Sequence, residues 1–227
     1  MQQTRRSVLK ALGLGGGSVL SGVAVAQTGN TARVRGIYAI PGGPNVDVFV
    51  DETQVIENIA YKQVSPYFDF AAGRHTVRVV PVGQDQDSGG FQRRTALKPN
   101  TDYTVAVAGT LQNPTAEVFT DDNTTPSNDR VRLRVVHLSP DAPPVNITTG
   151  EQSLVRDLTF GEASEYRSVQ AGSYQFTVTP TGQSNPVGTF SVSLTGGTVV
   201  TVFAVGLLQS TNQTEAFDLV STVDARR

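Results

Sequence analysis

His137, Ser139 and Asp141 alternate along the stretch VVHLSPDAPP, and imidazole, hydroxyl and carboxylate are the three groups of a serine hydrolase. On an extended chain, residues 137, 139 and 141 share one face but lie roughly 7 Å apart in sequence order. A triad needs partners at about 2.6–3.2 Å, so the three cannot serve one another locally. Pro140, Pro143 and Pro144 instead mark a strand end running into a loop. In such a turn a carboxylate like Asp141 accepts from nearby backbone amides. The only other histidine is His75, and two unlinked histidines do not make a metal site. The chain has no cysteine, which excludes disulfides, thiolate zinc sites and a cysteine nucleophile. No G-x-S-x-G, H-E-x-x-H or phosphate loop occurs, so no catalytic residue, metal ligand or cofactor is assigned.

Two weaker signals concern ligands and modification. Asp85 and Asp87 before Gly89 resemble the start of a calcium loop, but Ala96 stands where the bidentate glutamate belongs, so a solvated hairpin tip is expected. Asn123, Asn146 and Asn212 head N-x-S/T triplets and are candidate glycosylation acceptors, whereas Pro114 excludes Asn113.

These residues must be positioned by strands, because the sequence is written twice. A shift of 99 positions lays Arg33, Arg35, Pro41, Pro44 and Val46 on Arg132, Arg134, Pro140, Pro143 and Val145. The same shift lays Ser65 and Tyr67 on Ser164 and Tyr166, and Ala72-Gly73 on Ala171-Gly172. Tyr38 and Tyr174 are the counterparts of His137 and His75, so the scaffold forms without either histidine. After the loss of two loop residues, TDYTVAVAG at 101 meets TVVTVFAVG at 198.

Val46, Val48 and Val50 alternate with Asp47, Phe49 and Asp51, which is the period of a half-buried strand. No convincing helical period follows residue 26. Turn signals recur at strand-length intervals, and the expectation is all-β, with two tandem immunoglobulin-like antiparallel β-sandwich domains. Their expected spans are 27–122 and 129–227, joined by a polar linker at 123–128. In TALKPNTDYTVAVAG, Tyr103 follows Leu97 and Pro99 as in a tyrosine corner, where the hydroxyl bonds back to upstream backbone. The second copy has Val200 at that place. Phe203 and Val205 stand where the first copy has Ala106 and Ala108, and this extra bulk points to the inter-domain contact.

The N-terminus reads as an address. Arg5 and Arg6 precede a short apolar stretch, Ala11 to Ala24, that ends in Ala24-Val25-Ala26. Basic start, apolar middle and small-residue end are the layout of an export signal, and the arginine pair gives it a twin-arginine-like form over residues 1–26. The apolar stretch is shorter than a membrane span, and the run at 198–208 is strand-length, so no span is expected in the mature chain. The net charge is -2, and the basic residues form no cluster beyond the signal, which argues against nucleic acid. Arginine exceeds lysine and acid exceeds base, the pattern of salt-adapted archaeal proteins in mild form.

VRLRVVHLSPDAPPVNI, LTFGEASEY and VQAGSYQFTV together resemble the family of domain of unknown function 4397, with the first copy the weaker match. The resemblance implies an exported all-β surface protein. It assigns motif positions, read as structural, to His137, Ser139, Pro140, Asp141, Pro143, Ser164, Tyr166, Ala171 and Gly172, and it brings no known activity. The function expected is therefore a non-enzymatic extracellular module, facing an unknown cell-envelope protein or glycan. The alternatives are a hydrolase or metal-dependent enzyme built on His137 and Asp141, and a carbohydrate-binding module using Phe49, Tyr61, Tyr67 and Phe68.

Overall fold

A computed structural model describes residues 30–85 and 90–227. The signal residues Arg5, Arg6, Ala24 and Ala26, and Asp87 of the calcium-like loop, lie outside the described residues. Everything described is strand or turn, and no described helix is long and apolar enough to cross a membrane.

The first copy comprises β1 (Thr31–Tyr38), β2 (Val46–Val50), β3 (Thr53–Ile59), β4 (Phe68–Ala71), β5 (Gly73–Pro81), β6 (Phe91–Leu97), β7 (Asp102–Gly109) and β8 (Pro114–Asp121). The second repeats them as β9 (Arg130–His137), β10 (Val145–Thr149), β11 (Gln152–Leu158), β12 (Arg167–Gln170), β13 (Gly172–Pro180), β14 (Gly188–Leu194), β15 (Thr198–Val205) and β16 (Asp218–Arg226). Each copy is a sandwich of two four-stranded sheets, ordered β3-β2-β5-β6 and β4-β1-β7-β8 in the first, and β11-β10-β13-β14 and β12-β9-β15-β16 in the second. The sandwiches are not purely antiparallel: β1 pairs in parallel with β7, and β9 with β15. The chain between those partners passes through the opposite sheet, which supplies the long connection a parallel pair requires.

Alternation explains how the sheets stack. Along β7, Tyr103, Val105 and Val107 face the first sandwich's own interior, while Thr104, Ala106 and Ala108 face the other copy. Along β15, Val200, Val202 and Ala204 enter the second core, and Thr201, Phe203 and Val205 face back. The two inner sheets are thus covered on both faces, and all eight residues of β15 are buried. A third apolar layer joins the copies, in which Ile37, Ala106 and Ala108 meet Val136, Phe203 and Val205. The bulk of Phe203 and Val205 therefore does mark the contact between domains, fitting against the alanines of the first copy.

Two local devices hold the strand turns. Gly73 and Gly172, at matching positions, adopt φ of 145° and 154°, a region that favours glycine. The Tyr103 hydroxyl accepts from the Lys98 backbone N–H at 3.1 Å, pinning the β6–β7 crossover above buried Leu97. The second sandwich has one continuous core, whereas the first has two smaller groups around a cavity of about 50 Å³.

Candidate functional site

The charged residues that the repeat aligns meet in the middle of the molecule. Arg35 on β1 and Arg134 on β9 each sit beside a threonine of the adjacent parallel strand, Thr104 and Thr201. Each arginine then reaches across the interface to the other copy's aspartate. Arg35 Nη1 pairs with Asp224 at 2.7 Å, and Arg134 Nη2 donates to Asp121 at 2.5 Å. The threonines close the network within each copy: Thr104 accepts from Arg35 Nε at 2.9 Å and donates to Asp121 at 2.7 Å. Thr201 accepts from Arg134 and donates to Asp224 at 2.5 Å. All four charged side chains are at most 3% exposed.

Tyr67 and Tyr166 roof the network. The guanidinium carbon of Arg35 lies 4.8 Å from the Tyr67 ring centre, and that of Arg134 lies 4.9 Å from Tyr166. Tyr67 also donates to Asp121 at 2.6 Å. Their placement follows from the serine two residues earlier. Ser65 Oγ accepts from Gly36 N–H and Ser164 Oγ from Val135 N–H, at 2.8 and 3.0 Å, tying each loop to its inner sheet. Burial pushes the Asp224 carboxyl above the ordinary carboxylate range, with Arg35 opposing the shift. Burial lowers Arg35, but the facing Asp224 and Tyr67 more than offset it and leave its guanidinium raised. Burial also pushes the Tyr166 hydroxyl up to about 12. The network therefore holds two ion pairs in exchange between copies, and its chemistry is cohesion.

The opening trio is likewise occupied. His137 is fully buried, edge-on to Phe160. Its Nδ1 accepts from Ser139 N–H at 3.2 Å and its Nε2 faces the Pro143 carbonyl at 3.3 Å. Burial holds its pKa below the usual imidazole value. Ser139 Oγ donates to the Gly206 carbonyl at 2.6 Å, and lies only 3.4 Å from Asp141. Asp141 accepts from Leu208 N–H at 2.9 Å and Gln209 N–H at 3.2 Å. Those amides are 67 and 68 positions away, not nearby as the turn reading expected. The motif thus fastens the β9–β10 loop to the start of the long β15–β16 connection.

The other predicted positions fall at separate places. Pro140 and Pro143 shape the β9–β10 loop, and Ala171 N–H donates to the Asp129 carbonyl ahead of β9. Asn123 is partly buried, with Nδ2 donating to Asp102 at 2.7 Å and Tyr67 at 3.3 Å, so the amide nitrogen a glycan would take is engaged. Asn146 holds the Asp157 N–H at a strand irregularity, as Asp47 holds the Asn58 N–H in the first copy. Asn212 is exposed, bonded within its own loop. His75 bonds Asp51 at 2.5 Å and the Ala71 carbonyl at 2.8 Å, and among the described residues no group of acidic or imidazole side chains converges to hold a metal ion. The aromatics divide: Tyr67 belongs to the interface, Tyr61 packs against Lys62, Phe68 lines the first core, and Phe49 is paired with Arg78 across β2 and β5.

Sequence reading missed Asp121 and Asp224. The β15–β16 connection is longer than the β7–β8 hairpin, and Asp224 sits at a register shift between Val199 and Val200, so no ungapped alignment pairs the two aspartates. The available signal was an arginine inside an apolar strand, repeated in both copies.

A family model described as "Domain of unknown function (DUF4397)" matches residues 32–148 and 137–226. Among solved structures, "The Bacillus anthracis TIE protein" aligns at 12% identity with a TM-score of 0.25, over 78% of this chain and 34% of that one. This chain therefore spans about a third of that structure's length. Among curated proteins none matches.

Proposed function

We propose, from the premise that the chain belongs to the DUF4397 family, that it is an exported, non-enzymatic surface module whose two sandwiches act as one rigid unit. The observation that carries this reading is the commitment of the motif's polar groups. His137, Ser139 and Asp141 serve backbone partners, while Ser164 and Tyr166 support the interface. A side chain held in this way is not placed to exchange a proton with a substrate. The residues that usually report chemistry here report assembly.

Arg5, Arg6 and the Ala24-Val25-Ala26 end support passage by a twin-arginine-like route to the cell surface or beyond. A fold held by apolar layers and ion pairs, in a chain without cysteine, needs no oxidising compartment. The rigid pair of sandwiches displays loops toward a partner in the envelope, a protein or a glycan. Export is tested by comparing secreted and cytosolic fractions of the native chain and of an Arg5→Lys, Arg6→Lys variant. Secretion of the first and retention of the second is the expected result, and cytosolic retention of the native chain would refute export. The non-enzymatic part fails if the protein turns over an ester, peptide or glycoside and His137→Ala abolishes this with the fold intact.

A further inference from the structure

The outer sheets of the two sandwiches carry different side chains on the same frame. In the first copy Gln54, Phe49, Arg78 and Gln92 stand in one row from β3 to β6. Two residues along β5, Thr76 stands opposite Arg94, and two further on Arg74 stands opposite Ala96. The alternate residues Val77 and Val79 line the core, so this set points away from it. Arg74 and Arg94 are exposed and Arg78 is half-buried. Arg74, Thr76 and Arg94 border an open depression of about 480 Å³. The second copy places Thr148, Thr177 and Thr189 in the first of these rows, then Gln175 with Ser191, then Ser173. Its face is neutral and bonded within itself, with Gln175 Nε2 donating to Ser191 Oγ at 2.9 Å and the Thr177 and Thr189 hydroxyls 3.1 Å apart.

The arginines of the first face form a cluster. Arg94 is diagonal to both Arg74 and Arg78, roughly 7–8 Å away across the strand pair, a spacing at which like charges repel. Arg33, Arg35, Arg132 and Arg134 at the domain interface and linker each face a carboxylate, whereas among the described residues Arg74 and Arg94 have no ion pair. The acids on this side are engaged elsewhere: Asp47 accepts from Asn58 N–H, and Asp51 accepts from Thr76 N–H and bonds His75. A concentrated positive patch of this kind, in a chain whose net charge is -2, is a surface for an anion to cover.

We propose that the outer face of the first sandwich, and not that of the second, binds an acidic polysaccharide, with carboxylates on Arg74, Arg78 and Arg94 and a sugar ring against Phe49. Guanidinium groups take carboxylates through paired hydrogen bonds. Charges spread along an open sheet suit an extended chain with repeated carboxylates better than one small anion. Phe49, half-buried in the row beside Arg78, offers an apolar surface to a sugar ring. The negative charge of the whole chain disfavours nucleic acid on the same patch. This inference rests on the reading of a module that faces the envelope and names the chemistry of its partner. Binding by the purified protein depends neither on export nor on the absence of turnover, so each can fail alone.

The full chain is titrated with alginate oligosaccharides by two-dimensional NMR at low salt, with neutral dextran oligosaccharides and oligothymidylate as comparators. Alginate should give saturable shifts on β2, β5 and β6, dextran should give none, and oligothymidylate should bind more weakly than alginate. Arg74→Ser and Arg94→Ser, copied from Ser173 and Ser191, should each weaken alginate by about two- to fivefold. Both sites are exposed, so these variants should keep the native denaturation midpoint, which separates lost binding from lost folding. Phe49→Thr, copied from Thr148, should weaken alginate as well. Absence of saturable alginate shifts, shifts of equal size on β10, β13 and β14, or unchanged affinity in the two arginine variants would overturn the site. Unchanged affinity in a folded Phe49→Thr variant would overturn the ring contact, and oligothymidylate binding as tightly as alginate would overturn the choice of a glycan.

Discussion

Replacing Arg35 by Met tests whether the central ion pairs are desolvated in solution as they are in the fold. The change leaves Asp224, whose side chain is 0% exposed, with the Thr201 hydroxyl and the more distant charge of Arg134. Breaking one partner out of a buried pair costs about 3–5 kcal/mol when the other charge stays buried. Arg35→Met with Asp224→Leu removes both charges, and such apolar replacements are about neutral, or stabilising by about 1–4 kcal/mol. The double variant should therefore recover most of the loss.

The sign with pH is defined. Burial raises the folded-state pKa of Asp224 above its ordinary value of 3.8, and loss of Arg35 raises it further. Between the unfolded and folded values the folded state binds more protons, so this contribution to stability falls as pH rises through that window. The deficit of Arg35→Met is therefore full at neutral pH and smaller in acid. His137 titrates equally in native and variant and drops out of the difference. Urea unfolding followed by far-UV circular dichroism and tyrosine fluorescence measures the effect in a chain without tryptophan. If docking weakens before the sandwiches unfold, the single transition should split into two. A single variant within about 0.5 kcal/mol of native at neutral pH, or a double variant no better than the single, would refute the buried network.

Four other outcomes are expected. His137 is held neutral by burial, with its folded pKa below 6.5, so stability present above that pH should be lost as pH falls, by at most about 1.4 kcal/mol per pH unit. His137→Tyr, the first copy's residue at that place, should flatten this slope in urea titrations below pH 6.5. Tyr103→Phe strips the Lys98 N–H of its acceptor and should cost about 1–3 kcal/mol by denaturant midpoint. Asp141→Ala frees the Leu208 and Gln209 amides of the β15–β16 connection, and amide exchange should accelerate there ahead of β15 itself. Val77→Phe should raise stability by about 1 kcal/mol if it fills the cavity without strain, and a loss would show that the first core is already closed.

Much of the architecture was legible in the chain because it rests on local rules. Alternating valines, glycines at the strand turns and a register kept through Arg33, Ser65, Tyr67 and Gly73 specify sheets, turns and duplication without any tertiary knowledge. Tyr103 was legible for the same reason, since its partner is only five positions upstream. The extended spacing read for His137, Ser139 and Asp141 did not hold, since β9 ends at His137 and the turn beyond brings Ser139 Oγ to 3.4 Å from Asp141, with its shorter bond going to the Gly206 carbonyl.

What only tertiary structure decided is where long-range partners come from. Asp141 takes amides from the β15–β16 connection, and Arg35 leaves its own sandwich to pair with Asp224, 189 positions later, past a bulge that breaks the repeat. Period two states that a side chain points away from its own core, yet it cannot state whether water or another sheet lies on that side. Here another sheet does. Exclusion of water turned two repeated arginines from ordinary surface charges into the fixed contacts that hold the copies together.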